Sequence, residues 1–401
     1  MATNDRQKAG GAKRTNKNRM LSLMVTSRTP IIHRKDISDW QRAKQSATRT
    51  DRPRMAPLQE LFSYILDDAH LTSQLLLRKS KTLKAEYSLV REGGDPDDKA
   101  TQSLMRLPAT RGIITAILDS RMHGYSLLEL DPQPGQPDPL GVTLIDRRHI
   151  DPLNGLVLPD ITDTDGIPYR ELPEYGRYIL EFRGEGLGIL DKAVPHVLFK
   201  RFAQSCWSEF CEVYGMPPRV IKTNTQDQQL RETYNQILAK MGSGASAVID
   251  IDDEIEFVAT NASNGEAYEN LIRVCRDELS LLINGAVLGQ DTRFGSNSKE
   301  QTSSELSDEI ADDDAIFVET AMNTIVLPSL QWLGFIPEGL RFQFREQEDT
   351  KQLFEQTMQA AQYFDIDPKW VKEKFGIEVT GQRSFGPAPQ LSMGGGYDPF
   401  V

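Results

Sequence analysis

The stretch HVLFKRFAQSCWSEFCEVYGMPPRVIK, His196 to Lys222, decides how the chain is organised. Leu198, Phe199, Phe202, Cys206, Phe210, Val213 and Tyr214 recur at helical spacing, with Lys200, Arg201, Gln204, Ser208, Glu209 and Glu212 opposite them. That pattern is an amphipathic helix with one face to bury. Pro195 suits its first turn, and Gly215 with Pro217 and Pro218 ends it. Such a helix of about 20 residues is a rod of roughly 30 Å. A short strand, Arg219 to Lys222, follows at once.

Downstream, Asp227 to Met241 reads as a helix, and Ala247–Ile251 and Ile255–Ala259 read as a hairpin around Asp252, Asp253 and Glu254. A second long helix runs from Glu266 to Leu282, with Tyr268, Leu271, Ile272, Cys275, Leu279 and Leu282 on one face. A βαββ module therefore sits between two long helices. At about 45 residues it is too small for a strong core of its own. Its edges are expected to pair with something, and neighbouring copies of the chain are the simplest candidate. Residues 289–304 (GQDTRFGSNSKEQTSS) form a polar loop. A third helix, Ser304 to Leu327, carries Leu306, Ile310, Phe317, Ala321 and Ile325 as its stripe and Glu305, Asp308, Glu309, Asp312, Asp313 and Asp314 on its polar side. Pro328 should kink or stop it. Arg341–Arg345 alternates like a strand, 349–364 is helical, and 366–377 is a helix-and-turn unit.

Upstream, order is expected from Pro57. Leu58, Leu61, Phe62, Ile65 and Leu66, then Leu71, Leu75 and Leu76, keep a helical period. Thr82–Val90 alternates like a strand, 100–120 reads as one amphipathic helix, and Tyr125–Leu130, Gly141–Ile145 and Tyr178–Phe182 read as strands. The class is α+β.

The charge is uneven. Residues 1–54 hold 14 Lys and Arg against four Asp, a net of +10, so the other 347 of the 401 residues carry −22 of the overall −12. The first 20 residues have almost no apolar content and are expected to be disordered, either as a basic arm that touches nucleic acid or an acidic neighbouring subunit or as a plain solvated tail. Three cysteines (Cys206, Cys211, Cys275) exclude a disulfide framework and suit a reducing compartment. Cys206 and Cys211 are expected to pack in a core. There is no apolar run of membrane-spanning length, and no apolar stretch follows the basic N-terminus as in a secretory signal.

No catalytic constellation assembles from the sequence. The five histidines (33, 70, 123, 149, 196) lack metal-ligand spacing to one another or to cysteine. Asp250, Asp252, Asp253 and Glu254 lack the glycine and spaced Glu of a calcium loop, and a two-metal centre needs carboxylates from several elements. A metal-dependent nuclease using Asp250, Asp252 and Glu254 stands as the enzymatic alternative. Gly184, Gly186 and Gly188 do not make a dinucleotide fingerprint, and neither a phosphate loop nor a G-x-S-x-G elbow is present. A non-enzymatic protein without cofactor or metal is the favoured reading.

The order of these segments resembles the portal proteins of tailed bacteriophages, and locally their Mu-like branch. ISDWQRAKQSA (37–47), LFSYILDDAHLTSQLLLRKSKTL (61–83), FKRFAQSCWSEFCEVYGMPPRVIK (199–222), NGEAYENLIRVCRDELSLLINGAVLGQD (264–291) and FDIDPKWVKEKFGI (364–377) carry the resemblance. It implies a twelve-subunit ring at one vertex of a virion capsid, assembled in the host cytoplasm. Double-stranded DNA would pass its channel in packaging and ejection. Partners would be the terminase large subunit, then a head–tail adaptor, and the major capsid or scaffold protein. By segment order, 1–54 is a flexible arm, 55–193 an α+β wing, 194–218 and 264–288 stem helices, and 219–263 the clip. Residues 289–304 are the tunnel loop, 305–346 the kinked tunnel helix and a wing strand, 347–385 a small crown-like region, and 386–401 a flexible tail. Arg293, Asn297 and Lys299 would then face DNA, with Asp312, Asp313 and Asp314 lining the channel. Arg231, Glu232, Asn235 and Lys240 would meet partners. Another head–tail structural protein is the remaining alternative.

Overall fold

A computed structural model describes residues 20–26, 34–214, 219–223, 226–240, 246–250, 265–287, 297–345, 350–361 and 366–377. The chain divides into two units, 1–345 and 346–401.

The first unit opens with α1 (Leu21–Met24), α2 (Ile37–Ala47), α3 (Ala56–Leu66) and α4 (Ala69–Lys84). Next come β1 (Tyr87–Arg91), α5 (Asp98–Arg106), α6 (Ala109–His123), β2 (Tyr125–Pro132) and β3 (Leu140–Leu144). The short strands β4 (Ile150–Asp151), β5 (Leu156–Val157) and β6 (Ile167–Pro168) precede β7 (Ile179–Arg183). The long helix α7 (Ile189–Tyr214) leads to β8 (Arg219–Lys222), α8 (Gln228–Lys240) and β9 (Ser246–Ile249). Then follow α9 (Glu266–Asn284), α10 (Asn297–Ala321), a π-helical turn (Met322–Val326), α11 (Leu327–Trp332) and β10 (Leu340–Phe344). The second unit holds α12 (Thr350–Ala360) and α13 (Pro368–Phe375), where Phe375 packs edge-on against Phe354 and Trp370.

The class is α+β, as the sequence indicates. β2 is the centre of an antiparallel sheet, β3-β2-β7, and β10 returns across the sequence to pair antiparallel with β1, Leu89 opposite Phe342. Two apolar cores form. One joins α2, α3 and α4 to the start of α7 and the end of α9, through Phe62, Ile65, Leu71, Leu190, Val194, Leu279 and Ile283. The other joins α5 and α6 to the sheets and the π turn, through Leu104, Ile113, Ile117, Leu180, Met322 and Phe342.

Several expectations need correction. Order begins well before Pro57: Leu21, Ala43 and Ala47 lie in the first core. There the Trp40 indole donates to Asp191 at 2.8 Å, and Lys44 pairs with the same carboxylate at 2.6 Å. The helix expected over 100–120 is two helices, because Pro108 cannot donate and holds Leu107 extended (ψ 109°). The strand expected from Thr82 begins only at Tyr87, since α4 continues to Lys84 and buries Thr82. α7 starts at Ile189, so Pro195 lies inside it and forfeits one bond, to the carbonyl of Asp191. α10 starts at Asn297, which removes the end of the expected loop. The helix also runs on past Pro328, through a π turn just before it in which the Leu327 amide donates to the Met322 carbonyl. Of the expected hairpin, β9 pairs parallel with β8, and 255–259 lie outside the described residues. Cys206 is half-buried and Cys211 exposed; only Cys275 is buried.

The glycines at 184 and 188 serve packing. A Cβ on Gly184 would overlap the carbonyl oxygen of Ser120. One on Gly188 (φ 87°) would overlap the carbonyl of Met122 and the amide of Gly124. The turn after β7 thus lies against the end of α6, just before α7 begins.

Candidate interaction surfaces

α7 and α9 pack on each other, and their burial runs in opposite directions. α7 is buried repeatedly from Leu190 to Ala203, but none of 204–212 is buried. α9 is exposed or half-exposed from Glu266 to Val274 and buried at Cys275, Leu279, Ile283 and Asn284. Both are rooted in the first core and leave it together, with β8, α8 and β9 between their far ends. At the root, Lys200 on α7 donates to both oxygens of Asp68 (2.9 and 2.8 Å), and Asp68 caps α4 through the amide of Leu71. Burial opposes ionisation of Asp68, but these donors outweigh it and lower its pKa. On the same two helices large apolar side chains face solvent: Phe199 (46%), Phe202 (53%), Leu271 (40%) and Val274 (50%). Apolar exposure on this scale marks an interaction surface.

α8 carries the residues expected to meet partners. Arg231, Glu232 and Asn235 are exposed, beside Leu230 and Ile237, while Leu238 turns inward. Lys240 ends the helix. Arg293 lies outside the described residues, as do Asp252 and Glu254 of the nuclease alternative; of that set only Asp250 is described, half-buried after β9. Asn297 and Lys299 fall on the first turn of α10 rather than on a loop. Among the described residues no group of three His, Cys, Asp or Glu could hold a metal ion.

The acidic triplet on α10 does not act as one surface. Asp314 is fully buried and takes two hydrogen bonds from the guanidinium of Arg78 on α4 (2.6 and 2.9 Å) and one from Arg121 on α6 (2.8 Å). Arg78 also donates to the carbonyl of Ile283 at the end of α9 (2.8 Å). One carboxylate thus ties α10 to α4, α6 and, through Arg78, α9. Asp313 pairs with Arg121 at 2.6 Å, and Asp308 with Lys81 at 2.7 Å. The expectation that Asp314 lines a channel is overturned, because burying it requires paired guanidiniums on every side. Only Asp312 of the three is exposed without a cation partner among the described residues.

Two further clusters escaped the sequence reading. Glu129, fully buried on β2, accepts from the amides of Leu21 and Ser22 (both 3.0 Å) and the Ser22 hydroxyl (2.7 Å). It fixes α1 against β2. A lone Glu in the apolar strand YSLLEL was the available signal. Glu181 on β7 is gripped by Arg170 (2.7 Å), Arg183 (2.8 Å) and Tyr175 (3.0 Å). Burial alone would raise its pKa, but these hydrogen bonds win and take it down to about 2.

The paired helices α7 and α9, with β8, α8 and β9 between them in the chain, are the arrangement the sequence order led us to expect. Residues 59–377 match the family described as the portal protein of Mu bacteriophage. The chain belongs to that family of phage head–tail structural proteins. Among solved structures it is similar to a chain in one described as "Neck of empty GTA particle computed with C6 symmetry". The identity is 13% and the TM-score 0.45, over 77% of this chain and 92% of that one. No curated protein matches it. No described helix is long and apolar enough to cross a membrane.

Proposed function

We propose that this chain is the subunit of a closed ring at one vertex of the virion capsid. The ring, of about twelve copies by analogy with the family, conducts double-stranded DNA during packaging and ejection. The observation that carries this reading is the family match over 59–377. The projecting α7–α9 pair with its exposed apolar face fits a subunit that completes its burial against other copies.

In this reading the α7–α9 pair is the stem and the insert carried by it, 219–263, is the clip. Arg231, Glu232, Asn235 and Lys240 meet the terminase large subunit, and after packaging the head–tail adaptor. Residues 289–304, with Arg293, Asn297 and Lys299, face DNA; the basic arm meets DNA, scaffold or capsid protein. The ring performs no bond chemistry, so its physical work is to close, dock and let a polyanion pass. A docking surface of mixed charge sets partner choice and encounter rate more than bulk affinity.

The test is a clip variant, R231E/E232R/N235A. Because these side chains are exposed, the ring should form normally while binding of the purified terminase large subunit falls at least about tenfold, about 1.4 kcal/mol. Undiminished motor binding by intact variant rings would remove the clip from this role.

A further inference from the structure

A groove of about 680 Å³ runs beside the root of α7. Its walls are the segment that begins at Arg34, Tyr64 on α3, Phe199 and Phe202 on α7, and Leu271 on α9. Its polar edge is cationic. The Arg34 guanidinium lies over the Phe202 ring at 5.7 Å, and that of Arg201 lies over Tyr64 at 4.2 Å. With Lys35 there are three cations on the lining, against one carboxylate, Asp36. Asp36 is engaged in capping α2, where it accepts from the Asp39 amide. The groove therefore combines exposed aromatic rings with net positive charge.

α10 carries the converse surface. At about 100° per residue, Glu305, Glu309, Asp312 and Ile316 fall within about 60° of arc. All four are exposed, Ile316 by 65%. The acids on either flank, Asp308 and Asp313, are already paired with Lys81 and Arg121. The three carboxylates of the central stripe have no cation partner among the described residues. Both surfaces are exposed in one chain, so neither satisfies the other within it.

We propose that the groove receives the Glu305–Ile316 stripe of α10 from a second copy of this chain, with Ile316 against Phe199 and Phe202 and the carboxylates against Arg34 and Arg201. This rests on the ring reading and specifies its contact. Contact between two different patches is head-to-tail, and such a contact builds a ring when its rotation closes. Because the ionic part lies at an exposed rim, assembly weakens with salt.

The test is a reciprocal charge exchange in the full chain, read by native mass spectrometry. R34E/R201E alone and E309K/D312K alone should each raise the concentration needed for ring formation at least about tenfold. The four changes combined should restore it. Arg201 also stacks on Tyr64, so circular dichroism and R34E alone control for folding. In a C206S/C211S background, F202C with I316C should give oxidised ladders of covalently linked chains. Rings that tolerate both single exchanges, or a folded combined variant no better than either, would overturn the contact and leave the ring reading standing. A wild-type chain that forms no ring would remove both.

Discussion

The body of this protein and its βαβ insert are built on opposite terms. The body buries two apolar cores and ties its helices with internal ion pairs: Arg78 with Asp314, Lys200 with Asp68, Lys79 with Asp119. Among its described residues the insert has two strands and one helix, with Leu238 and Thr223 as its buried side chains. Neither belongs to a core cluster. The body can be stable as one chain, whereas the insert presents Leu230, Ile237 and charged side chains outward. The difference shows how one chain can hold a rigid frame and still leave a surface for partners to complete.

The sharpest way to break the comparison is at Asp314. D314A leaves the Arg78 guanidinium buried without its counter-charge and should cost about 3–5 kcal/mol of body stability in urea titration. A loss near zero would mean that the joint of α4, α6 and α10 opens to water. The next effect is acid sensitivity. The pKa of Glu181 is lower folded than unfolded, so its contribution is complete above the unfolded value of about 4.3. It is lost as pH falls towards about 2. The body should lose on the order of 2–3 kcal/mol across that window. E181Q should flatten that part of a pH-dependent melting curve. An unchanged slope in E181Q would assign the acid loss to other carboxylates, such as Asp68. The smallest effect belongs to the insert. L238A should cost the body under about 1 kcal/mol and leave its melting midpoint in place, since weakly packed segments open locally. A drop of several kcal/mol, the usual cost in a full core, would show that insert and body unfold as one.

Much of this frame was legible in the sequence. The stripes of α7 and α9 placed two long helices around a small module because their apolar period is long and uninterrupted. The strands β2, β3, β7, β8 and β10 were found within a residue or two. Pro108 was a readable break that the surrounding apolar period masked. α2 was hidden by the surrounding basic charge, although Ile37, Trp40, Ala43 and Ala47 keep a helical period. Among the interaction surfaces, the exposed side of α8 was legible from its polar residues. The fate of Asp314 was obscured by its setting in a run of three acids, which reads as a solvated face. The better signal was its register: Ile310, Asp314 and Val318 share one side of α10, and Leu71, Leu75 and Arg78 share one side of α4. A charge on an apolar stripe predicts a buried partner. The cationic groove was not legible, because Arg34, Tyr64, Phe202 and Leu271 meet only through tertiary packing.

The central claim is that the exposed faces of this chain are completed by its own copies in a closed ring. Native mass spectrometry of the purified full-length chain over a concentration series, with electron-microscope images of the same samples, tests it most directly. The account predicts a population near twelve chain masses whose particles show an axial hole, and which dissociates as salt is raised. A chain that stays a compact single-copy particle at every concentration, with Phe199, Phe202 and Val274 still exposed to solvent, would contradict it.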